Sequence, residues 1–199
     1  MPQQYDNDRS RLSVAQEAAR IMADHGISDF SAAKRKAAER LGLGQHGTLP
    51  SNIEVEAALI EHHRLYAEHD HAASLAHRRQ LALSLMEEMA QFEPRLVGPL
   101  LAGTAAEDAP ANLHVFSDSA EDIAWFLEER NVEYRLFERR LKIQRGRSQG
   151  YPGYRFEWES LGIEATVFAY DGLRQAPLSP VDGRPMRRAS IKKLKKLLA

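Results

Sequence analysis

RLVGPLLAGTAAEDAPANLHVF, Arg95 to Phe116, is the stretch at which the chain changes period. Arg95 to Gly98 is a short apolar run, and Leu113 to Phe116 is another. Both are bounded by glycine, proline or a polar loop, which is how short strands read. Downstream, Asp118 or Ser119 is expected to cap a helix over SAEDIAWFLEER, with Ile123, Phe126 and Leu127 facing inward. VEYRLFERRLKI, Val132 to Ile143, alternates polar and apolar residues as an amphipathic strand does. A basic glycine-containing loop is expected over Gln144 to Gly153. Tyr154 to Glu159 and Ile163 to Tyr170 then read as a hairpin turning at Ser160-Leu161-Gly162. Pro177 to Met186 reads as an extended loop with a turn at Asp182-Gly183, and Ser190 to Leu198 as a short basic helix.

Upstream, the first ninety or so residues read as helix. In SRLSVAQEAARIMAD, Ser10 to Asp24, one face carries Leu12, Ala15, Ala19 and Met22, and His25-Gly26 is a stop signal. Ser31 opens a second helix that Gly42 and Gly44 end, and a loop follows over Gln45 to Pro50. Ser51 or Asn52 caps a third helix, with Val55, Leu59, His62 and Tyr66 at helical spacing. A fourth runs from Ala72 to Phe92, ends at Pro94, and carries the stripe Leu81, Leu85, Met86 and Met89 as core packing. Helices followed by strands predict an α+β fold: a mixed sheet with helices on one side. The expected division is an N-terminal helical region over residues 1–70 and the α+β domain over 71–199.

The composition narrows the function classes. With 43% apolar residues the chain can bury a core, and 28% charge is ordinary for a water-facing globule. Cysteine is absent, which excludes disulfides, thiolate zinc sites and cysteine nucleophiles. No secretory signal is visible at the N-terminus, and Leu96 to Ala106 is too short to span a bilayer, so a cytoplasmic location is expected. The net charge of −1 hides an asymmetry: Arg139 to Arg155 holds six basic residues and no acid, and Arg184 to Ala199 seven and none.

The Arg95–Phe116 stretch resembles the signature of the DNA polymerase β nucleotidyltransferase superfamily, in a bacterial branch with a degenerate active site. That signature is an apolar residue, then Gly-Ser or Gly-Gly, then about ten residues, then two carboxylates on alternate positions of a strand. Val97-Gly98-Pro99 stands at the glycine motif, and Asn112-Leu113-His114-Val115 at the carboxylate pair. Ile163-Glu164-Ala165 fits the place of the third carboxylate. The resemblance spans roughly Arg95 to Gly172 and is weak over the N-terminal ninety residues. It implies a nucleotidyltransferase-like fold, nucleotide contacts at Gly98, Pro99, Gly103 and Thr104, and metal ligation at Asn112, His114 and Glu164.

Residues i and i+2 of a strand share a face, so two carboxylates there can hold two metal ions between them. This chain keeps one carboxylate of the three. Hard Mg²⁺ prefers oxygen ligands and disfavours imidazole, so any Mg²⁺ cofactor is expected to be held weakly. Pro99 has no backbone N–H to offer a phosphate. Glu107 and Asp108 lie in the intervening loop as partial substitutes. Three functions stay open: a degenerate member binding a nucleotide or RNA in a regulatory role; an active metal-dependent transferase acting on an RNA, protein or small-molecule hydroxyl; and a structural interaction module.

Other signals are fainter. His62, His63, His69, His71 and His77 cluster without an HExxH motif and read as a solvated helix junction rather than a zinc site. Arg139, Arg140, Lys142, Arg145 and Arg147 are interleaved with Tyr151 and Tyr154, and the tail adds Lys192, Lys193, Lys195 and Lys196. Basic side chains with aromatics can hold a phosphate backbone and stack bases; a solvated face is the competing expectation.

Overall fold

The computed structural model describes residues 2–27, 29–43, 49–66 and 69–199, and the side chains of 2–7, 66 and 69–71 lie outside that description. The chain divides into two compact units, residues 1–72 with 180–182, and 73–179 with 183–199. The fold is α+β: a five-stranded mixed sheet and, among the described residues, seven α-helices. No described helix is long and apolar enough to cross a membrane.

The first unit is built on α1 (Pro2–His25), α2 (Phe30–Arg40) and α3 (Asn52–Tyr66). The starts of α2 and α3 have local causes. Asp29, not Ser31, caps α2: its carboxylate accepts from the backbone N–H groups of Ser31 at 2.7 Å and Ala32 at 3.2 Å. Ser51 caps α3 in a reciprocal box. The Glu54 N–H donates to Ser51 Oγ at 3.2 Å, and the Ser51 N–H donates to Glu54 Oε2 at 2.7 Å. Those bonds, with Arg11, hold the Glu54 carboxyl down at about 2. The apolar face of α1 is Val14, Ala15, Ala18, Ala19, Ile21 and Met22; Leu12, expected on it, is 59% exposed. Gly44 and most of the expected loop from Gln45 to Pro50 lie outside the described residues.

The second unit carries β1 (Arg95–Val97), β2 (Ala111–Phe116), β3 (Tyr134–Gln144), β4 (Arg147–Trp158) and β5 (Leu161–Phe168), in the spatial order β1-β2-β5-β4-β3. β2 and β5 are parallel, and every other pair is antiparallel. On one face Leu96, Leu113, Val115, Ile163, Val167 and Phe156 form a core with α4 (His69–Glu88), α5 (Gly98–Ala102), α6 (Glu121–Glu128) and α7 (Ile191–Leu198), which contribute among others Leu85, Leu100, Ile123 and Leu194. Burying each such side chain contributes about 1.5–3 kcal/mol.

Three local expectations are corrected. The segment Gln144 to Gly153 is not a loop. The chain reverses at Arg145-Gly146, where Gly146 has φ 79°, and residues 147 onward are strand. The β4–β5 hairpin turns at Glu159-Ser160, with Trp158 paired to Leu161 and Glu159 at φ 54°. α6 has no side-chain cap: Asp118 instead accepts from the Tyr170 N–H at 3.3 Å, and Ser119 donates to Glu121.

Candidate functional site

The opposite face of the sheet carries the residues that the resemblance singled out. Asn112 and His114 alternate on β2, and in the parallel β2–β5 ladder Asn112 is registered with Glu164. The three therefore share one face. Gly98, φ 72°, lies beside them: a Cβ on it would stand 3.5 Å from Asn112 Nδ2. The placement brings the four positions together, but what fills the space between them is arginine.

Arg139, from β3, reaches across with one guanidinium nitrogen donating to Asn112 Oδ1 at 2.7 Å and the other to Glu164 Oε2. Arg155, registered with Glu164 across the β4–β5 hairpin, donates to Glu164 Oε1 from Nε at 2.9 Å and Nη2 at 2.5 Å. Glu164 is only 7% exposed, so its single charge is consumed inside the protein. His114 is 3% exposed, and its Nδ1 accepts from Arg188 Nε at 3.0 Å. Burial, then the Arg188 and Arg139 charges, depress the imidazole to about 3. It is therefore neutral, with its proton on Nε2. Arg188 also donates to the Gly172 carbonyl at 2.7 Å and sits 5.1 Å from the ring centres of both Phe116 and Phe168. Burial, then Arg95, lowers it to about 10.

These residues do not fit Mg²⁺. The one carboxylate is held by guanidiniums on both oxygens, the amide oxygen is occupied, and Arg188 adds a further positive charge at His114. Among the described residues no group of three or more His, Asp or Glu side chains is placed to hold a metal ion. Of the histidine cluster, the His69 and His71 side chains lie outside the described residues.

The glycine motif also serves the fold. Pro99 occupies the first turn of α5, and Gly103, φ 88°, ends it. The N–H groups of Gly103 and Thr104 both donate to the Pro99 carbonyl, at 2.8 and 3.0 Å, and so are not directed at a phosphate. Arg79 donates to the carbonyls of Leu100 and Leu101, and the 8%-exposed Arg78 to those of Ala106 and Ala109. The charges of Asp108 and Glu107 act on Arg78.

The two basic segments are separated. Arg135, Arg140, Lys142, Arg145, Arg147 and Arg155 are exposed along the β3–β4 arm, and Arg139 is half-buried. α7 follows Ala189, which pairs with Leu96 on the outer edge of β1. Four strand spacings, about 19 Å, separate β1 from β3. α7 docks on the helical face through Leu194, and Lys195 pairs with Glu87 at 2.6 Å, leaving Lys192, Lys193 and Lys196 exposed.

A cleft of about 440 Å³ opens where β2 and β5 end. Its cause is local. Pairing of β4 with β5 stops at Gly153↔Thr166, and the next residue, Pro152, has no N–H to continue the ladder. The arm departs there, and its residues Gln149, Gly150 and Tyr151 line the cleft together with Ser117, Asp118, Phe168, Asp171 and Gln175.

Sequence reasoning missed Arg155 and Arg188 as site residues. The signal for Arg155 was present: a two-residue turn at Glu159-Ser160 pairs residue 155 with 164. Nothing local marks Arg188, which arrives from 74 residues beyond His114. Compared with protein-family models, curated proteins and solved structures, the chain matches none.

Proposed function

We propose that this protein binds a nucleotide or RNA through the arginine-bearing β3–β4 arm and the adjoining sheet face, and does not catalyse metal-dependent nucleotidyl transfer there. The observation that carries the reading is the pair of guanidiniums on Glu164. The position that would have to bring negative charge to a metal is neutralised, and the surface around it is left positive. Arg140, Lys142, Arg145 and Arg147 extend that field along an exposed arm with Tyr151 among them. Such a surface attracts phosphates through counterion release, and its affinity falls steeply with salt.

A gel-shift titration with single-stranded RNA at several salt concentrations tests it. Wild type is expected to bind weakly at low salt and to lose affinity as salt rises. Arg145→Ala with Arg147→Ala should weaken binding and reduce the slope of log affinity against log salt by about 1 for each phosphate left without its arginine. Lys192→Ala with Lys193→Ala and Lys196→Ala, on the far edge and other face, should leave it unchanged. Absence of a shift in wild type, or equal binding by the arm variant, refutes the reading. Mg²⁺-dependent pyrophosphate release from a nucleoside triphosphate, abolished by Glu164→Ala, would establish the transferase instead.

A further inference from the structure

The cleft at the ends of β2 and β5 has a character opposite to that of the arm beside it. No basic side chain lines it, while Asp118 and Asp171 both do. The two carboxylates weigh against a phosphate there, and the guanidinium behind the cleft, Arg188, is engaged by the Gly172 carbonyl and by His114. The wall contributed by the arm is Tyr151, whose ring lies 4.4 Å from that of Phe168 at 39°, so the tyrosine is backed by a second aromatic. Gln149 and Gln175 add amides that can both donate and accept. An aromatic wall with hydrogen-bonding groups around it, next to a phosphate-binding surface, is the arrangement that takes an unstacked base.

The acceptors select among the bases. One oxygen of Asp118 is engaged by the Tyr170 N–H. Both oxygens of Asp171 are without a partner among the described residues, so this carboxylate can accept two parallel bonds. Guanine presents two adjacent donors, N1–H and the exocyclic N2 amine, on its Watson–Crick edge. Adenine and cytosine offer there one amine beside a ring-nitrogen acceptor, and uracil one N–H between two carbonyls; none has donors on two adjacent positions, and an acceptor against a carboxylate is repulsive. We infer that the cleft is a guanine site, with the base stacked on Tyr151 and its N1–H and N2–H donated to Asp171. This rests on the proposed nucleotide or RNA binding and adds to it a base preference and a location.

The test is fluorescence anisotropy on the full chain with labelled uridine oligomers carrying one central guanosine, inosine, adenosine or uridine. The guanosine oligomer is expected to bind about tenfold tighter than the all-uridine one. Inosine, which keeps N1–H and lacks the exocyclic amine, should fall between them, and adenosine should gain nothing. Asp171→Asn, at an exposed position that tolerates the change, should bring the guanosine oligomer to the uridine level without altering uridine binding or its salt dependence. Tyr151→Leu is a second, independent probe and should weaken the guanosine oligomer about tenfold. Equal binding of all four oligomers overturns the guanine site and leaves the polyanion reading standing. A guanosine preference that survives both substitutions in folded protein overturns the assignment to this cleft. No binding of any oligomer overturns both proposals.

Discussion

Glu164 accepts from Arg139 on one oxygen and from Arg155 on the other, and it is nearly buried while Arg155 keeps a 61%-exposed side chain. Removing the acid leaves two guanidiniums facing each other across β5. Glu164→Ala is expected to destabilise the second unit by about 2–3 kcal/mol, less than a fully buried pair because the arginines can turn to water. Urea denaturation reads this directly, and millimolar Mg²⁺ should not move the wild-type midpoint. His114 gives a pH signature. Its folded pKa, about 3, lies below the usual 6.5, so between those values the unfolded chain binds a proton that the folded one does not. Stability is therefore intact above pH 6.5 and is lost as pH falls through that window, by about 2 kcal/mol from this group at pH 5. His114→Gln keeps an acceptor for Arg188 and should flatten that part of the profile; equal slopes in both proteins would contradict the assignment. At this scale the shared face of Asn112 and His114 was legible from strand alternation, whereas Glu164 joins them through the β2–β5 register, which the resemblance implied and alternation does not set. Of the arginine partners, Arg155 was legible only through the exact length of the β4–β5 turn, and Arg139 and Arg188 were not, since they depend on strand order and on a distant segment.

For the elements, the β3–β4 arm shows why glycine misled. Glycine and basic residues over 144–153 read as a loop, yet Gly150 and Gly153 sit in a strand with β3 side chains lying across them. A Cβ on Gly153 would come within 2.5 Å of the Phe137 ring and 2.9 Å of the Ala165 carbonyl. The missing side chain is the space that Phe137 occupies, a cross-strand relation invisible to local propensity. Gly153→Ala should destabilise the second unit by about 2 kcal/mol through overpacking, measured as a shift in denaturation midpoint at constant slope. The alternation of VEYRLFERRLKI, by contrast, was enough to place β3 within two residues at each end. Cap chemistry was read unevenly. Ser51 holds α3 as expected, whereas Asp29 outcompeted Ser31 because its carboxylate reaches two backbone donors from just outside the helix.

Across the whole molecule, two separate hydrophobic clusters imply two stabilities. Alanine makes up half of the first: Ala15, Ala18, Ala19, Ala33 and Ala37, with Val14, Ile21, Met22, Val55 and Leu59. Among the largest fully buried side chains only Ile21 belongs to that unit, whereas Leu85, Met86, Met89, Leu113, Ile163 and others belong to the second. Small side chains let helices approach closely but remove little apolar area from water, at about 25 cal/mol per Å². The first unit should therefore melt at lower temperature. Calorimetry of the full chain is expected to show two transitions, which also means that one free energy of unfolding would not describe this protein. Ile21→Ala should lower only the first transition and Leu85→Ala only the second. Each cavity costs about 2–5 kcal/mol, and the Ile21 value should fall toward the lower end, because few large side chains surround it. A single endotherm displaced by both substitutions would mean that the two clusters unfold as one cooperative body.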